Sequence, residues 1–225
     1  MANDHGKAES LGIRERMGNA KIETLAIKTD RLLLRPIVKS DIGNIYNGLS
    51  NPEVIKYYGV CFDSLEATKE QVKSDIGNIY NGLSNPEVIK YYGVSFDSLE
   101  ATKEQMEWFE KSSQCWWAIC SLDNKQFYGA AGLNDISVPH KKSEIGFWLL
   151  PDYWRRGIMT EAIPLVINYG FNQLELHRIE GFVETENHSS KHTLEKLGFR
   201  HEGTMNDCEI KNGKYISIDI YAILN

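Results

Sequence analysis

The sequence predicts a protein of the mixed α/β or α+β class. Short apolar runs typical of strands alternate with amphipathic stretches typical of helices along most of the chain. Near the end, two strand-like runs are joined by Asn212-Gly213, a frequent hairpin turn. The 225 residues, 42% hydrophobic and 25% charged, have a globular composition and suffice for one large domain or two small ones.

The N-terminal part predicts a tail, a strand and two short helices. Residues 1–23 are polar and lack the apolar core of a signal peptide, so we expect a flexible tail. The apolar run Arg31–Ile37 predicts a strand, and Ser40 and Asp41 are typical helix-start residues. A short helix weakened by glycine and asparagine should follow, then a turn at Asn51-Pro52 and a second helical turn.

The next segment occurs twice. Residues 38–71 recur as residues 72–105 and match at 33 of 34 positions, with Cys61 replaced by Ser95. A period of 34 is also that of tetratricopeptide arrays, but such arrays need about three copies and their repeats diverge. We therefore interpret the repeat as a tandem duplication in which one copy is structurally redundant.

The junction between the copies predicts a longer helix. Five apolar residues there recur at helical spacing: Leu65, Val72, Ile76, Ile79 and Leu83. Two packings compete, because either copy can fill the native position while the other bulges out. An exposed apolar stripe also makes a homodimer or an exchange of segments between chains conceivable.

The remaining elements follow in order. Asp97 and Glu100 have capping-box spacing and should open a stronger helix over 98–114. The later runs predict strands at 115–122, 126–134 and 143–150, a helix near 157–174, a strand at 177–186, a helix at 189–199, and a hairpin of 200–210 with 214–224.

Charge and composition exclude several classes of partner. The net charge is −6 and no basic run suits a phosphate backbone, which argues against nucleic acid. No apolar run approaches the ~18 residues of a membrane span. The four cysteines have no metal-ligand spacing, and Cys61 is serine in its own duplicate, so we expect neither metal nor disulfides, and a reducing cytoplasm.

His188 and His192 should be surface residues. The tryptophans should line the core and a pocket: Trp116, Trp117, Trp148 and Trp154.

The clearest candidate for a binding site is the loop before the third long helix. A strand leads into Gly157 and then into a helix, whose free N–H groups and positive dipole end favour phosphate. Arg155 and Arg156 add positive charge. Pro164 should remove one early hydrogen bond if the helix begins near Thr160, or kink the helix if it begins at Gly157.

Together with a second strand–helix junction at Asn187, these stretches resemble the GNAT superfamily of acetyl-CoA-dependent N-acetyltransferases. The nearest branch is that of the ribosomal-protein N-terminal (alanine or serine) acetyltransferases. The resemblance runs from "TDRLLLRPI" through "YWRRGIMTEA" to "NGKYISIDIYAIL", which is Thr29 to Leu224. It implies a single domain over 24–225, with a mixed, mostly antiparallel sheet flanked by helices and the duplicated helical segment near the N-terminal helices.

The resemblance also implies where acetyl-CoA binds. The family's loop Gln/Arg-x-x-Gly-x-Gly/Ala falls on residues 154–159, with Trp154 and Met159 departing from the pattern. Backbone N–H groups of this loop would hold the pyrophosphate, the pantetheine would lie along the preceding strand, Asn187 would bond the pantetheine arm, and Ser190 would lie near the sulfur. The implied cofactor-binding residues are Phe147, Trp148, Leu149, Arg155, Arg156, Gly157, Ile158, Met159, Thr160, Asn187 and Ser190.

Acetyl transfer to an amine needs a base, because an alkylammonium has a pKa near ~10. Glu144 is the first candidate, with a structural ion pair to a lysine such as Lys142 as the alternative. Glu184 and Glu186 are lesser candidates.

The oxyanion should be bound by the N–H of Phe147 or Trp148. Ser190 or a water could support the leaving thiolate, although Ser190 could equally cap its helix.

We expect an acetyltransferase that acts on a primary amine by direct attack in a ternary complex. The alternative is a catalytically impaired or engineered scaffold of the same fold that binds CoA. Protein N-termini, polyamines and aminoglycoside-type amines all remain compatible acceptors.

Overall fold

A computed structural model describes residues 24–57, 103, 106–211 and 213–225. The strands are β1 (Ile27–Lys28), β2 (Leu32–Pro36), β3 (Cys115–Ser121), β4 (Phe127–Ser137), β5 (Lys142–Leu149), β6 (Arg178–Glu184), β7 (Arg200–Lys211) and β8 (Lys214–Leu224). The helices are α1 (Ile42–Leu49), α2 (Pro52–Ile55), α3 (106–109), α4 (Ile158–Asn172) and α5 (His188–Lys196), with 3-10 turns at Lys39–Asp41 and Pro151–Tyr153.

All eight strands form one sheet in the order β1-β2-β3-β4-β5-β6-β8-β7. Every neighbouring pair is antiparallel except β5 and β6, which run parallel. The parallel pair requires a crossover, and α4 provides it. The predicted mixed, mostly antiparallel sheet is therefore confirmed.

Apolar side chains cover both faces of the sheet, because residues of a strand alternate between faces. One face packs under α4 and α5, with Trp117, Ile163 and Leu194 fully buried. The opposite face packs under α1 and α3, with Trp116 and Trp148 at its centre. A side chain at Gly48 of α1 would come within 2.0 Å of the Trp148 ring, so only glycine lets α1 approach this closely.

The start of the first copy of the repeat holds the position before α1. Asp41 is almost fully buried and accepts two hydrogen bonds of 2.7 Å from the Arg35 guanidinium on β2. Asp41 also accepts from the backbone N–H of Val38 at 2.9 Å, which fixes the turn into the helix. At Asn51 the side chain caps α2 by accepting from the N–H of Glu53.

Several predictions fall outside the described residues. These are the tail 1–23, the junction stripe from Leu65 to Leu83, the capping box at Asp97 and Glu100, and the second copy apart from Lys103.

Helix α4 begins at Ile158, so Pro164 lies inside it rather than in its first turn. The carbonyl of Thr160 therefore lacks its usual helical donor. In the described part of the chain, no helix is long and apolar enough to cross a membrane.

Candidate active site

The two parallel strands separate at the middle of the sheet. β5 and β6 are in register only at Lys142, Ser143 and Glu144, opposite Arg178, Ile179 and Glu180. Beyond that point β5 continues to Leu149 along β4, and β6 continues to Glu184 along β8. The described residues place no strand in the wedge between them. Such an opening at the carboxyl ends of parallel strands is a favoured site for a ligand.

The register on β4 decides which residues of β5 face this wedge. The N–H of Leu150 donates to the carbonyl of Tyr128 at 2.9 Å, and hydrogen-bonded pairs alternate along an antiparallel ladder. The backbone of Trp148 therefore points to Ala130 on β4, whereas that of Phe147 points into the wedge. The ring of Trp148 is buried in the core under α1. Of the two predicted oxyanion donors, only Phe147 has a suitable direction, and Trp148 is not placed to bind a cofactor.

The predicted phosphate-binding turn follows the end of β5, to which the indole of Trp154 connects it. Gly157 has a φ of 74° and forms the N-cap of α4, and Arg155 also has a positive φ of 57°. The first helical donor is the N–H of Glu161, which binds the carbonyl of Gly157 at 3.2 Å. The amides of Ile158, Met159 and Thr160 consequently have no acceptor within the helix. Because residues 155–157 are exposed, the turn is open to an anion rather than sealed.

The side chains around this turn hold it in place. The indole of Trp154 donates to the carbonyl of Leu149 at 2.9 Å, and the hydroxyl of Thr160 donates to the carbonyl of Gly157 at 2.9 Å. The guanidinium of Arg156 lies over the ring of Tyr153, 5.4 Å from its centroid. None of these contacts uses the backbone amides of Ile158, Met159 and Thr160.

A second set of contacts at this turn was missed by the sequence reasoning. Glu161, in the first turn of α4, accepts hydrogen bonds from Thr29 and from Arg31, whose Nε lies 2.8 Å away. Arg31 reaches close to Gly157, since a Cβ on that glycine would lie 3.9 Å from its guanidinium. No local pattern relates Arg31 to Glu161, because 130 residues separate them.

Replacing Gly157 by alanine should weaken CoA binding. The added Cβ would meet Thr160 at an ordinary 3.6 Å, so the penalty comes from the positive φ, about 1–2 kcal/mol for a residue with a side chain. If the turn relaxes to escape this strain, its amides move, and we expect the Kd for CoA to rise roughly 5- to 30-fold by calorimetry.

Gly198→Ala is the matched control. Gly198 has a φ of 89° at the far end of α5, with its nearest neighbour at 3.8 Å, so it loses stability without touching the turn. Equal affinity of both variants for CoA would contradict the role of the Gly157 turn.

The second junction places Asn187 and Ser190 at the end of β6. Asn187 is 9% exposed, and its Oδ1 accepts from the N–H of Ser190 at 3.1 Å. The helix cap is therefore Asn187, and the alternative prediction that Ser190 caps the helix is wrong. With its oxygen engaged, Asn187 can offer only its Nδ2 to a pantetheine carbonyl. Ser190 is partly buried as the third residue of α5. His188 and His192 are exposed on this helix, as predicted.

Glu144 stands at the apex of the wedge and is partly buried. Burial, with the negative charges of Asp135 and Glu180, raises the pKa of Glu144 to about 7, and a hydrogen bond from Asn134 opposes the rise. Lys142 pairs with Glu180 at 3.1 Å, and Arg178 pairs with Glu180 at 2.7 Å. Because Lys142 binds Glu180, the predicted structural pair between Lys142 and Glu144 is wrong.

The two lesser candidates have other surroundings. Glu184 forms an ion pair of 2.5 Å with Lys211, and that ammonium also donates to the carbonyl of Lys56 at the end of α2. Glu186 is exposed. Of the three candidate carboxylates, Glu144 is therefore the one whose surroundings suit a general base.

Comparison with known proteins decides the family. The acetyltransferase (GNAT) domain matches residues 70–200, which is more than half of the chain. The chain belongs to the GNAT acetyltransferase family. The family uses acetyl-CoA, so the predicted cosubstrate and the assignment as an acyltransferase are confirmed.

Individual GNAT relatives agree with this. "Uncharacterized N-acetyltransferase YoaA" of Bacillus subtilis (strain 168) is 28% identical over 198 residues, covering 88% of this chain and 96% of that protein. Spermidine N(1)-acetyltransferase of Escherichia coli (strain K12) is 33% identical over 87 residues, 39% of this chain and 47% of that protein. Spermidine N-acetyltransferase from Vibrio cholerae, crystallised with CoA and spermine, superposes with a TM-score of 0.66 at 19% identity over 87% of this chain and 96% of that one. This last likeness shows the fold alone.

The wedge and the turn fit the GNAT cosubstrate. An open strand edge at Phe147 can pair with the amides of a pantetheine arm, and the free amides after Gly157 can bind its diphosphate. Asn134 was missed in the sequence. Its only signal there is a polar residue that ends the small and apolar run 127–133.

Proposed function

We propose that this GNAT protein transfers the acetyl group of acetyl-CoA to a primary amine, with Glu144 as the general base. The observation that carries the proposal is the position of Glu144 at the apex of the wedge. There it lies between the open edge of β5 and the face of the sheet under α1 and α3. A carboxyl whose pKa is about 7 is well matched to accepting a proton at neutral pH.

The reaction assigns a task to each group. The amine nitrogen attacks the thioester carbon, the C–S bond breaks, and CoA leaves as a thiolate. A proton from the nitrogen passes to Glu144, directly or through a water. The leaving thiolate accepts a hydrogen bond from Ser190 or from a water and then takes a proton from solvent. The N–H of Phe147, directed into the wedge, stabilises the oxyanion of the tetrahedral intermediate.

The charge near Glu144 favours a cationic acceptor. The charge of Glu180 is balanced by Lys142 and Arg178, whereas Asp135 is exposed nearby at a bulge of β4. A small aliphatic polyamine, the acceptor named for the spermidine acetyltransferase relatives, is our first choice. The N-terminal α-amine of a ribosomal protein is the second.

CoA should stabilise the folded chain. At a concentration of 100 times Kd, a ligand that binds only the native state adds about 2.7 kcal/mol. For a chain of this size we expect a rise in Tm of roughly 5–10 °C. The absence of both a thermal shift and a heat of binding would overturn the acetyltransferase proposal.

An acceptor panel with thiol detection then tests turnover. Spermidine, an aminoglycoside and a peptide with a free N-terminus are compared at pH 7.5, each with and without acetyl-CoA. CoA binding with no turnover on any amine would favour the impaired scaffold instead. A cytoplasmic location stays part of the proposal and is supported by the free thiols of Cys115, Cys120 and Cys208.

A further inference from the structure

Asn134 on β4 lies directly opposite Glu144 on β5. Directly opposite residues of an antiparallel pair place their Cβ atoms roughly 5 Å apart on the same face, so the two side chains are within reach of each other. The Asn134 side chain lowers the pKa of Glu144, so its amide interacts with the Glu144 carboxylate.

The orientation of the Asn134 amide is fixed by Trp116. The indole Nε1 of Trp116 donates to Oδ1 of Asn134 at 2.7 Å. An indole N–H can only donate, so the amide oxygen must face Trp116 and the Nδ2 group is left for Glu144. An amide held at its oxygen cannot turn over without losing the bond to the indole.

Trp116 is itself held rigidly. The residue is 3% exposed, and its ring packs against Trp108 and Phe109 with centroids 6.0 and 5.2 Å apart. Glycines on β4 and β5 make room for it: a Cβ at Gly132 would lie 2.4 Å from the ring, and one at Gly146 would lie 2.8 Å away. The indole is therefore closely packed over the sheet on the side of Asn134.

The charges around Glu144 make the interaction with Asn134 important. Asp135 of β4 and Glu180 of β6 both disfavour the ionised form of Glu144. The cations nearby, Lys142 of β5 and Arg178 of β6, are bound to Glu180. The Asn134 amide is consequently the group that stabilises the Glu144 carboxylate against burial and repulsion.

We propose that Asn134, fixed by Trp116, is a positioning residue that orients the Glu144 carboxylate and sets the pH range in which the enzyme works. This inference rests on the proposed role of Glu144 as the base. Without the amide, Glu144 would stay protonated to higher pH and would be free to rotate away from the acceptor.

The test compares Asn134→Ala, Trp116→Phe and a matched control, Trp117→Phe. Trp117 neighbours Trp116 and is also fully buried, but its indole donates to the carbonyl of Leu25 at 2.8 Å and its ring lies on the opposite face. Two quantities are measured for each: the titration of the Glu144 carboxyl by carbon NMR, and kcat/KM against pH with spermidine or the best acceptor of the panel.

In Asn134→Ala we expect the pKa of Glu144 to rise by about one unit. Since the rate on the acid limb follows the ionised fraction, kcat/KM at pH 6 should then fall about tenfold, with a smaller fall above pH 8. Trp116→Phe should move both quantities in the same direction by less, because Asn134 remains but its amide is free to turn. Trp117→Phe should leave both pH curves unchanged.

Two outcomes overturn the proposal: an unchanged titration of Glu144 in both Asn134→Ala and Trp116→Phe, or the same shift in Trp116→Phe and Trp117→Phe. A third outcome separates it from the proposed function. If the Glu144 titration moves as expected while the acid limb of kcat/KM stays fixed, the influence of Trp116 and Asn134 on Glu144 stands and the assignment of Glu144 as the base fails. Trp116→Phe keeps an aromatic ring in the core, so the test survives if Asn134→Ala does not fold.

Discussion

Glu144→Gln should remove most of the acetyltransferase activity at neutral pH and at the same time make the folded protein more stable. The loss of activity follows from the absence of a proton acceptor, and general-base catalysis typically contributes 10²- to 10⁴-fold. We expect kcat/KM to fall by about this factor at pH 7.5, with little change in the Kd for CoA, since the Gly157 turn lies elsewhere. The residual activity should no longer show the acid limb assigned to Glu144.

The gain in stability follows from the sign of the pKa shift. The folded state holds the pKa of Glu144 at about 7, above its ordinary value of 4.5, so the folded state binds the proton more tightly than the unfolded chain. Below pH 4.5 both states are protonated and the group has no effect. Between pH 4.5 and 7 the native protein loses stability as the pH rises, and above pH 7 the full penalty, up to about 3 kcal/mol, remains. Glutamine avoids this penalty because it is never ionised.

Urea denaturation of the wild type and of Glu144→Gln at pH 5 and pH 8 measures this effect. The difference in the free energy of unfolding should be small at pH 5 and large at pH 8. Glu184→Gln is the matched control, because Glu184 pairs with Lys211 and its neutralisation should destabilise the protein. A Glu144→Gln variant that keeps wild-type turnover, or whose added stability does not grow with pH, would contradict the assignment.

Local sequence signals were sufficient to predict the elements that carry the site. The start of α4 after Gly157, the strand–helix junction at Asn187 and the terminal hairpin all follow from patterns within a few residues. The apex of the wedge could not be predicted in this way. Asn134, Glu144 and Glu180 meet only because three strands have a particular register, and register depends on packing across the sheet.

The choice between Phe147 and Trp148 illustrates the same limit. Neighbouring residues of a strand point their backbone groups to opposite sides, so the assignment depends on knowing one hydrogen bond, here that of Leu150 to Tyr128. Any strand has this alternation, but the sequence does not show which of the two residues faces the wedge. The repeat sets a further limit, because residues 38–57 and 72–91 are identical and no local preference can distinguish them.

Replacing Asp41 by alanine should reveal whether the second copy can take the position of the first. Removing one partner of a buried ion pair typically costs 3–5 kcal/mol, and here the change removes the two hydrogen bonds from Arg35 to Asp41 while those to Asn124 and to the carbonyl of Pro36 remain. Asp75 is the equivalent residue of the second copy. The GNAT family match begins at residue 70 and so includes the second copy. If residues 72–91 replace residues 38–57, Arg35 recovers an aspartate.

The lengths of the connecting segments determine the free-energy cost of that exchange. With the first copy in place, the extra 34 residues lengthen a connection that already exists between Tyr57 and Met106. With the second copy in place, they must form a new loop between Ile37 and Val72. The entropic cost of closing a loop grows only with the logarithm of its length, so lengthening an existing connection costs less than closing a new one. The second arrangement is therefore less favourable by about 2 kcal/mol.

We therefore expect Asp41→Ala to lose about 2 kcal/mol of unfolding free energy in urea, Asp75→Ala to lose almost nothing, and the double variant to lose the full 3–5 kcal/mol. Deleting residues 72–105 from Asp41→Ala should give the same full loss, which separates rescue by the second copy from an intrinsically small effect. Equal losses for the single and double variants would exclude the exchange. If the second copy instead enters a neighbouring chain, the stability of Asp41→Ala will increase with protein concentration and a dimer will sediment, because association then contributes to folding.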